Sequence, residues 1–308
     1  MKVIFIVSGG RNGSLFFQSL LDNHDEILQL PGVFHLDYFI KNIKGNSSQY
    51  LIAESFTNLF PEFFDSRKNS LHRMGELGQS KKDYFLVSKE KFIKNYLKLT
   101  SRKSNINIPF TIKAIHLAYY FAKTGKNVSN HKLISIHIHN AKRLEKIFKY
   151  FEIYEPQSLF IERDIIPSFH SELKGWSTFF DSDSRNDIRI VEKINKYSSS
   201  LYRKIFAPYC LHEIDSNSLT IKLEDIHLNT RFLFQVFADK YGIKFSETFF
   251  ESTFNGLFWW GDKISSKYLN GINKNFKNNF DKNIFFDWEL KLIKVLVSKR
   301  SKKYGYNF

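Results

Sequence analysis

Val3-Ile-Phe-Ile-Val-Ser-Gly-Gly-Arg-Asn-Gly-Ser-Leu-Phe-Phe-Gln-Ser-Leu-Leu-Asp22 is the stretch on which the reading of this chain turns. Its apolar run, 3–7, has the length and composition of a strand buried on both faces. The run breaks into a glycine-rich turn holding Arg11 and Ser14, and an apolar helical pattern follows. Glycines allow successive backbone N–H groups to converge, and the helix N-terminus adds partial positive charge, so this order of elements makes a phosphate cradle. A nucleotide kinase would carry Gly-Lys followed by Ser or Thr. Here Gly13 is followed by Ser14 and Leu15, and the cation comes earlier, at Arg11.

Similar β-branched or aromatic runs recur at 110–115, 132–138, 158–161 and 219–223, each followed by a polar turn and a helical pattern. Such alternation predicts an α/β fold with a central, mainly parallel β-sheet flanked by helices, P-loop-NTPase-like. Residues 34–105 contain no strand pattern and read as a helical insertion of the kind that builds a substrate lid in an α/β enzyme. Amphipathic helices are expected at 188–207 and 229–241, and a closing helix at 287–303 with basic residues in its last turns. The whole of 1–308 is read as a single domain.

Hydrophobic residues make up 43 % of the 308 and charged residues 25 %, which excludes disordered and fibrous classes. No apolar run approaches the ~20 residues of a membrane span, and 3–7 is too short for a signal-peptide core, so a cytoplasmic protein is expected. A lone Cys210 excludes an intrachain disulfide and a thiolate metal cluster, and no metal is expected. The excess of 46 Lys and Arg over 31 Asp and Glu favours encounter with polyanions.

The turn after the first strand resembles the phosphosulfate-binding loop of the sulfotransferases that use 3′-phosphoadenosine-5′-phosphosulfate (PAPS). Arg11, Gly13, Ser14 and Phe16 fit that loop, whereas Asn12 and Leu15 depart from it by removing two hydroxyls. The continuation Leu20-Leu21-Asp-Asn-His24-Asp-Glu-Ile27 is similar to the family's Leu-Leu-x-x-His-Pro-x-Ile. The resemblance implies that Arg11, Asn12, Gly13, Ser14 and Leu15 hold the 5′-phosphosulfate. It also implies an Arg at a strand end and a Ser eight residues later for the 3′-phosphate; Arg163 and Ser171 match in type and spacing. Arg163 offers a planar fork to phosphate, and Ser171 a hydroxyl. Leu219-Thr-Ile-Lys-Leu-Glu224-Asp225-Ile226 resembles the family's strand ending in Tyr-Glu-Asp-Leu, its acids read as helix-entry and network residues. Asn255-Gly-Leu-Phe-Trp-Trp-Gly-Asp262, with Lys263 after it and Tyr304-Gly-Tyr306 later, resembles the C-terminal portion of bacterial members and adds Lys263 to the donor-binding residues.

Sulfuryl transfer needs a base for the acceptor proton and cations for the developing charge. Two runs read as strands end in histidine: Thr111-Ile-Lys113-Ala-Ile-His116 and Leu133-Ile-Ser-Ile-His137-Ile-His139. The resemblance favours His139, 24 residues before Arg163, as base. His137 then falls where the family has a Lys that touches the sulfuryl group, and Lys113 is read as the cation that replaces it. The products expected are a sulfated small-molecule or carbohydrate acceptor and adenosine 3′,5′-bisphosphate (PAP). A P-loop nucleotide kinase and a basic nucleic-acid-binding protein are the rival readings. The missing Gly-Lys-Ser/Thr speaks against the first, and the absence of any helix-turn-helix, RNA-recognition or zinc pattern against the second.

Overall fold

The computed structural model describes residues 1–45, 48–101, 107–127, 129–138, 144–179, 217–263, 268–269, 271–280, 285 and 287–306. Strand β1 (Lys2–Ser8) lies in the middle of a five-stranded sheet of order β2-β3-β1-β4-β5. Its partners are β2 (Ile27–Gln29), β3 (Leu133–Ile138), β4 (Gln157–Glu162) and β5 (Leu219–Lys222), and every pairing is parallel. The run 3–7 is buried because it feeds two cores: Val3, Phe5 and Val7 face one, Ile4 and Ile6 the other. Each of these side chains contributes roughly 1.5–3 kcal/mol by leaving water.

Helix α1 (Ser14–Leu21) follows the glycine turn and packs Phe17, Leu20 and Leu21 beneath the sheet. Helices α2 (Leu36–Ile43), α3 (Gln49–Leu59) and α4 (Lys89–Thr100) lie in the region 34–105, with turns and short 3₁₀ segments over 60–88 between the last two. Phe34, Phe39, Phe56, Phe60, Phe63, Phe64 and Phe92 interlock there and share one cluster with Val3, Phe5 and Val7. The insertion is therefore part of the core that supports β1.

The expected strand at 110–115 is a helix, α5 (Ile108–Thr124). Asn107 caps it by accepting the Phe110 amide at 2.9 Å, Pro109 sits in its first turn, and Gly125 ends it at φ +73°. These start and stop signals outweigh the β-branched Thr111 and Ile112, whose burial against the core removes the cost of their stiffness. The short β2 was not legible as a strand. A second departure is the hairpin of β6 (Thr253–Phe254) and β7 (Leu257–Phe258), turned at Asn255 and Gly256, both at positive φ.

Helices α6 (Leu144–Phe151), α7 (Ile165–Phe179), α8 (Leu223–Leu228), α9 (Thr230–Tyr241) and α10 (Asp287–Lys303) complete the described α-helices. The helices expected at 229–241 and 287–303 are α9 and α10, whereas 188–207 lies outside the described residues. The C-terminal helix α10 packs on α7 and sends Arg300 to Glu162, a fully buried ion pair at the end of β4. Among the described residues no helix is long and apolar enough to cross a membrane.

Candidate functional site

All five strands are parallel, so their carboxyl ends share one edge of the sheet. The chain leaves β1 toward β2 on one side and leaves β4 toward β5 on the other. That divergence opens a crevice between the ends of β1 and β4, where open α/β sheets bind ligands.

The β1 loop fills one wall of the crevice. Gly10, Arg11 and Gly13 all take positive φ, at +84°, +54° and +83°, so the backbone curls into a concavity before entering α1. Asn12 is buried and braces the curl: its amide donates to the Ile161 carbonyl at 3.1 Å, and its oxygen accepts from Ser168 Oγ at 2.7 Å. Its side chain thus bonds to β4 and α7, and Leu15 packs against the core, so the two departures from the family loop are structural side chains.

Ser14 opens α1, and its hydroxyl lies 2.9 Å from His137 Nε2. His137 Nδ1 lies 2.9 Å from Gln18 Oε1, and the Gln18 amide nitrogen donates to the carbonyls of Leu30 and Gly32. Those two bonds fix Gln18 Oε1 as an acceptor, hence His137 Nδ1 as a donor. In the neutral ring Nε2 then accepts the Ser14 proton. His137 is 1 % exposed and links the start of α1 to β3.

Arg11 and Arg163 meet across the crevice. Arg163 Nη1 donates to the Arg11 carbonyl at 3.3 Å, and Arg11 Nε donates to Ser171 Oγ at 3.1 Å. Ser171 stands on α7, whose first turn is capped by Asp164 Oδ1 accepting the Ile166 amide at 3.0 Å. Burial and the neighbouring Arg11 push the Arg163 guanidinium down to about 10, opposed by the Glu224 carboxylate, and it stays protonated at neutral pH. Behind it Nε donates to Asn278 Oδ1 at 3.1 Å, the Asn278 amide donates to Glu224 Oε1, and the Tyr306 hydroxyl donates to Glu224 Oε2 at 2.9 Å. Burial raises the Glu224 carboxyl above the usual range. Two guanidinium groups, a hydroxyl, a backbone concavity and a helix N-terminus converge here, a donor set whose chemistry fits a phosphate-bearing ligand. Beside it His227 is sandwiched between Phe16 and Phe276, with centroids at 4.7 and 4.3 Å, and burial pushes its imidazole down to about 4.

Asp262 clasps Arg11 from the β7 side, at 2.8 Å to Nη1 and 3.4 Å to Nη2. Lys263 is next in sequence and exposed, and its amide donates to the Leu71 carbonyl at 3.0 Å. Thus the structure brings together Arg11, Asn12, Gly13, Ser14, His137, Arg163 and Ser171, with Lys263 at the margin. His139 lies outside the described residues.

Lys113 and His116 are corrected. Both sit on α5, and Lys113 lines a small cavity with Met1, Val3, Pro109 and Tyr154 at the amino-terminal end of β1, the opposite end from the crevice. His116 is 1 % exposed, with Nδ1 on the Ile112 carbonyl at 2.7 Å. Burial holds its imidazole neutral, down to about 4. The unfolded chain takes up a proton there near the ordinary 6.5 and the folded chain does not, so stability is intact above about pH 6.5 and falls as pH drops toward 4. His116→Leu is expected to remove that acid loss, about 2 kcal/mol of it by pH 5 and about 3 kcal/mol by pH 4; urea unfolding at pH 7 and pH 5 checks it, and equal pH slopes in both proteins would count against it.

Sequence reasoning missed Asp262 and Asn278 as site residues and gave Glu224 and Tyr306 no ligand-facing partner. Asp262, Glu224 and Tyr306 stand in motifs the sequence shows and Asn278 in none; which strand end each reaches is not written in its own segment.

No protein-family model matches the chain, and no curated protein sequence matches it. Among solved structures it is similar to the sulfotransferase domain of the curacin biosynthetic pathway, at 16 % identity and a TM-score of 0.53, covering 100 % of this chain and 98 % of that one. It is also similar to the sulfotransferase domain of the Synechococcus PCC 7002 olefin synthase, at 13 % identity and a TM-score of 0.50, covering 100 % and 96 %. The chain is built on the fold of these sulfotransferase domains.

Proposed function

We propose that this protein is a PAPS-dependent sulfotransferase that moves a sulfuryl group to a hydroxyl or amine of a small-molecule or glycan acceptor and releases PAP. What carries the reading is the pairing of Arg11 with Arg163 and Ser171 across the β1–β4 crevice, at the head of a glycine-curled loop, on a fold shared with sulfotransferase domains. Two like charges held this close favour an anion between them. PAPS, when bound, supplies a sulfuryl group on a phosphate leaving group. Arg11, Ser14 and the amides of the loop are the residues for the 5′-phosphosulfate; Arg163 and Ser171 are those for the 3′-phosphate. Lys263 stands at the margin for the same anion, and His139 retains the sequence-based assignment as base. The insertion around 34–105 borders the acceptor side.

Thermal stability with and without PAP tests the proposal. At about 100 times its dissociation constant PAP adds ~2.7 kcal/mol, a visible rise in melting temperature. No rise with PAP would overturn the assignment, and a larger one with ATP–Mg²⁺ would do so in favour of a kinase.

A further inference from the structure

Tyr304-Gly305-Tyr306 closes the C-terminal helix α10 with a glycine-centred cap. Gly305 takes φ +71°; its amide donates to the Lys302 carbonyl at 3.2 Å and the Tyr306 amide to the Ser301 carbonyl at 2.8 Å, the two bonds of a Schellman turn. The turn delivers the Tyr306 side chain to α8, where its hydroxyl donates to Glu224 Oε2 at 2.9 Å. Lys222, at the end of β5, sets its Nζ 5.2 Å from the Tyr306 ring centroid. The helix itself is anchored one strand away. Ile293 and Val297 pack with Ile165, Ile166 and Phe169 of α7, and Arg300 pairs with Glu162, the residue before Arg163. One capped helix therefore ties the end of β4, which Arg163 follows, to the start of α8.

We propose that Tyr306 is a positioning residue for Arg163: through Glu224 and Asn278 its hydroxyl orients the guanidinium, and the preference of the site for a nucleotide bearing a 3′-phosphate depends on it. The inference rests on the donor site proposed above. The bonds run in one direction. Arg163 Nε can only donate, so the Asn278 atom that meets it at 3.1 Å is the carbonyl oxygen, and the Asn278 amide nitrogen turns to Glu224 Oε1. Glu224 Oε2 is satisfied in turn by Tyr306. Burial and the Glu224 carboxylate push the Tyr306 phenol up, so it remains a donor. With this chain complete, Arg163 commits Nε to Asn278 and Nη1 to the Arg11 carbonyl, and among the described residues nothing bonds Nη2, which is left for phosphate. Without the hydroxyl, Glu224 Oε2 is a desolvated acceptor short of a donor, and its demand falls on Arg163, whose charge already acts on that carboxylate. A guanidinium drawn to Glu224 is drawn away from the ligand.

Calorimetric titration with PAP and with adenosine 5′-monophosphate, which differs from it only by lacking the 3′-phosphate, tests this. Tyr306→Phe removes the hydroxyl and keeps the ring and the cap. It is expected to lower the preference for PAP over adenosine 5′-monophosphate by about fivefold or more, the size of one lost hydrogen bond. Asn278→Ala breaks the same chain from a segment outside α10 and is expected to do the same; it carries the comparison should Tyr306→Phe fail to fold. A smaller change in that preference, or an equal weakening of both nucleotides, makes the cap merely structural and overturns the proposal while leaving the donor site standing. Tyr306→Phe added to Arg163→Ala is expected to change PAP affinity by less than about twofold, because the group it orients is gone. A full fivefold loss in that background shows that the hydroxyl does not act through Arg163 and also overturns the proposal. Wild-type protein that binds PAP no better than adenosine 5′-monophosphate, or not at all, overturns the donor-site reading and this inference with it.

Discussion

Arg163→Ala is expected to weaken PAP binding by about 100-fold, ~2.7 kcal/mol. The guanidinium lies in a desolvated corner where a charge-assisted bond to phosphate gains from the low dielectric, and its planar fork is already oriented by Asn278 and the Arg11 carbonyl. Stability of the free protein is expected to change much less than affinity. Removing the cation relieves its own desolvation and its repulsion with Arg11, while Glu224 loses a compensating charge and keeps its bonds from Asn278 and Tyr306. Arg163→Lys keeps charge without the fork and should fall between alanine and wild type. Calorimetric titration with PAP checks all three proteins, and an alanine variant within threefold of wild type would remove Arg163 from the donor site.

Gly13→Ala should be the most destabilising single-methyl change in the loop. The residue sits at φ +83°, where a side chain costs ~1–2 kcal/mol, and an added Cβ would meet Leu223 Cδ1 at 2.5 Å. Leu223 is 5 % exposed and packed in the second core, so it has no free direction in which to swing. Overpacking of that kind adds about 1–3 kcal/mol. A loss of roughly 2–5 kcal/mol in urea unfolding is expected from the two together. The double variant Gly13→Ala, Leu223→Ala separates them, because it clears the clash and leaves the backbone strain. A loss below 1 kcal/mol for the single variant would contradict the geometry.

Local chemistry made β1, β3, β4 and β5 legible: the first three as runs buried along their length, and β5 as the short β-branched stretch around Ile221. The same reading failed at 110–115, where Asn107 and Pro109 carried a helix start that the β-branched run concealed. At the site, Arg11, Gly13, Ser14, Arg163 and Ser171 stood out because type and spacing are properties of one segment. Asp262 and Asn278 did not, because their importance lies in which distant strand end they meet, 251 residues away for Asp262 and 115 for Asn278. Asn12 and Leu15 looked like losses of hydroxyls. In the folded loop they brace it, since Asn12 reaches both Ile161 and Ser168.

The central position of β1 has a kinetic consequence. Its two neighbours are β3 and β4, so its backbone groups wait for partners that begin about 130 and 155 residues later. Contacts of such separation close slowly, and an unpaired apolar strand is prone to association with other chains in the interval. The loop that β1 carries acquires its bracing from Ile161 and Ser168 only when β4 arrives. Pairing of β4 with β1 and bracing of the glycine loop are therefore one folding event, and a chain stalled before β4 docks has neither.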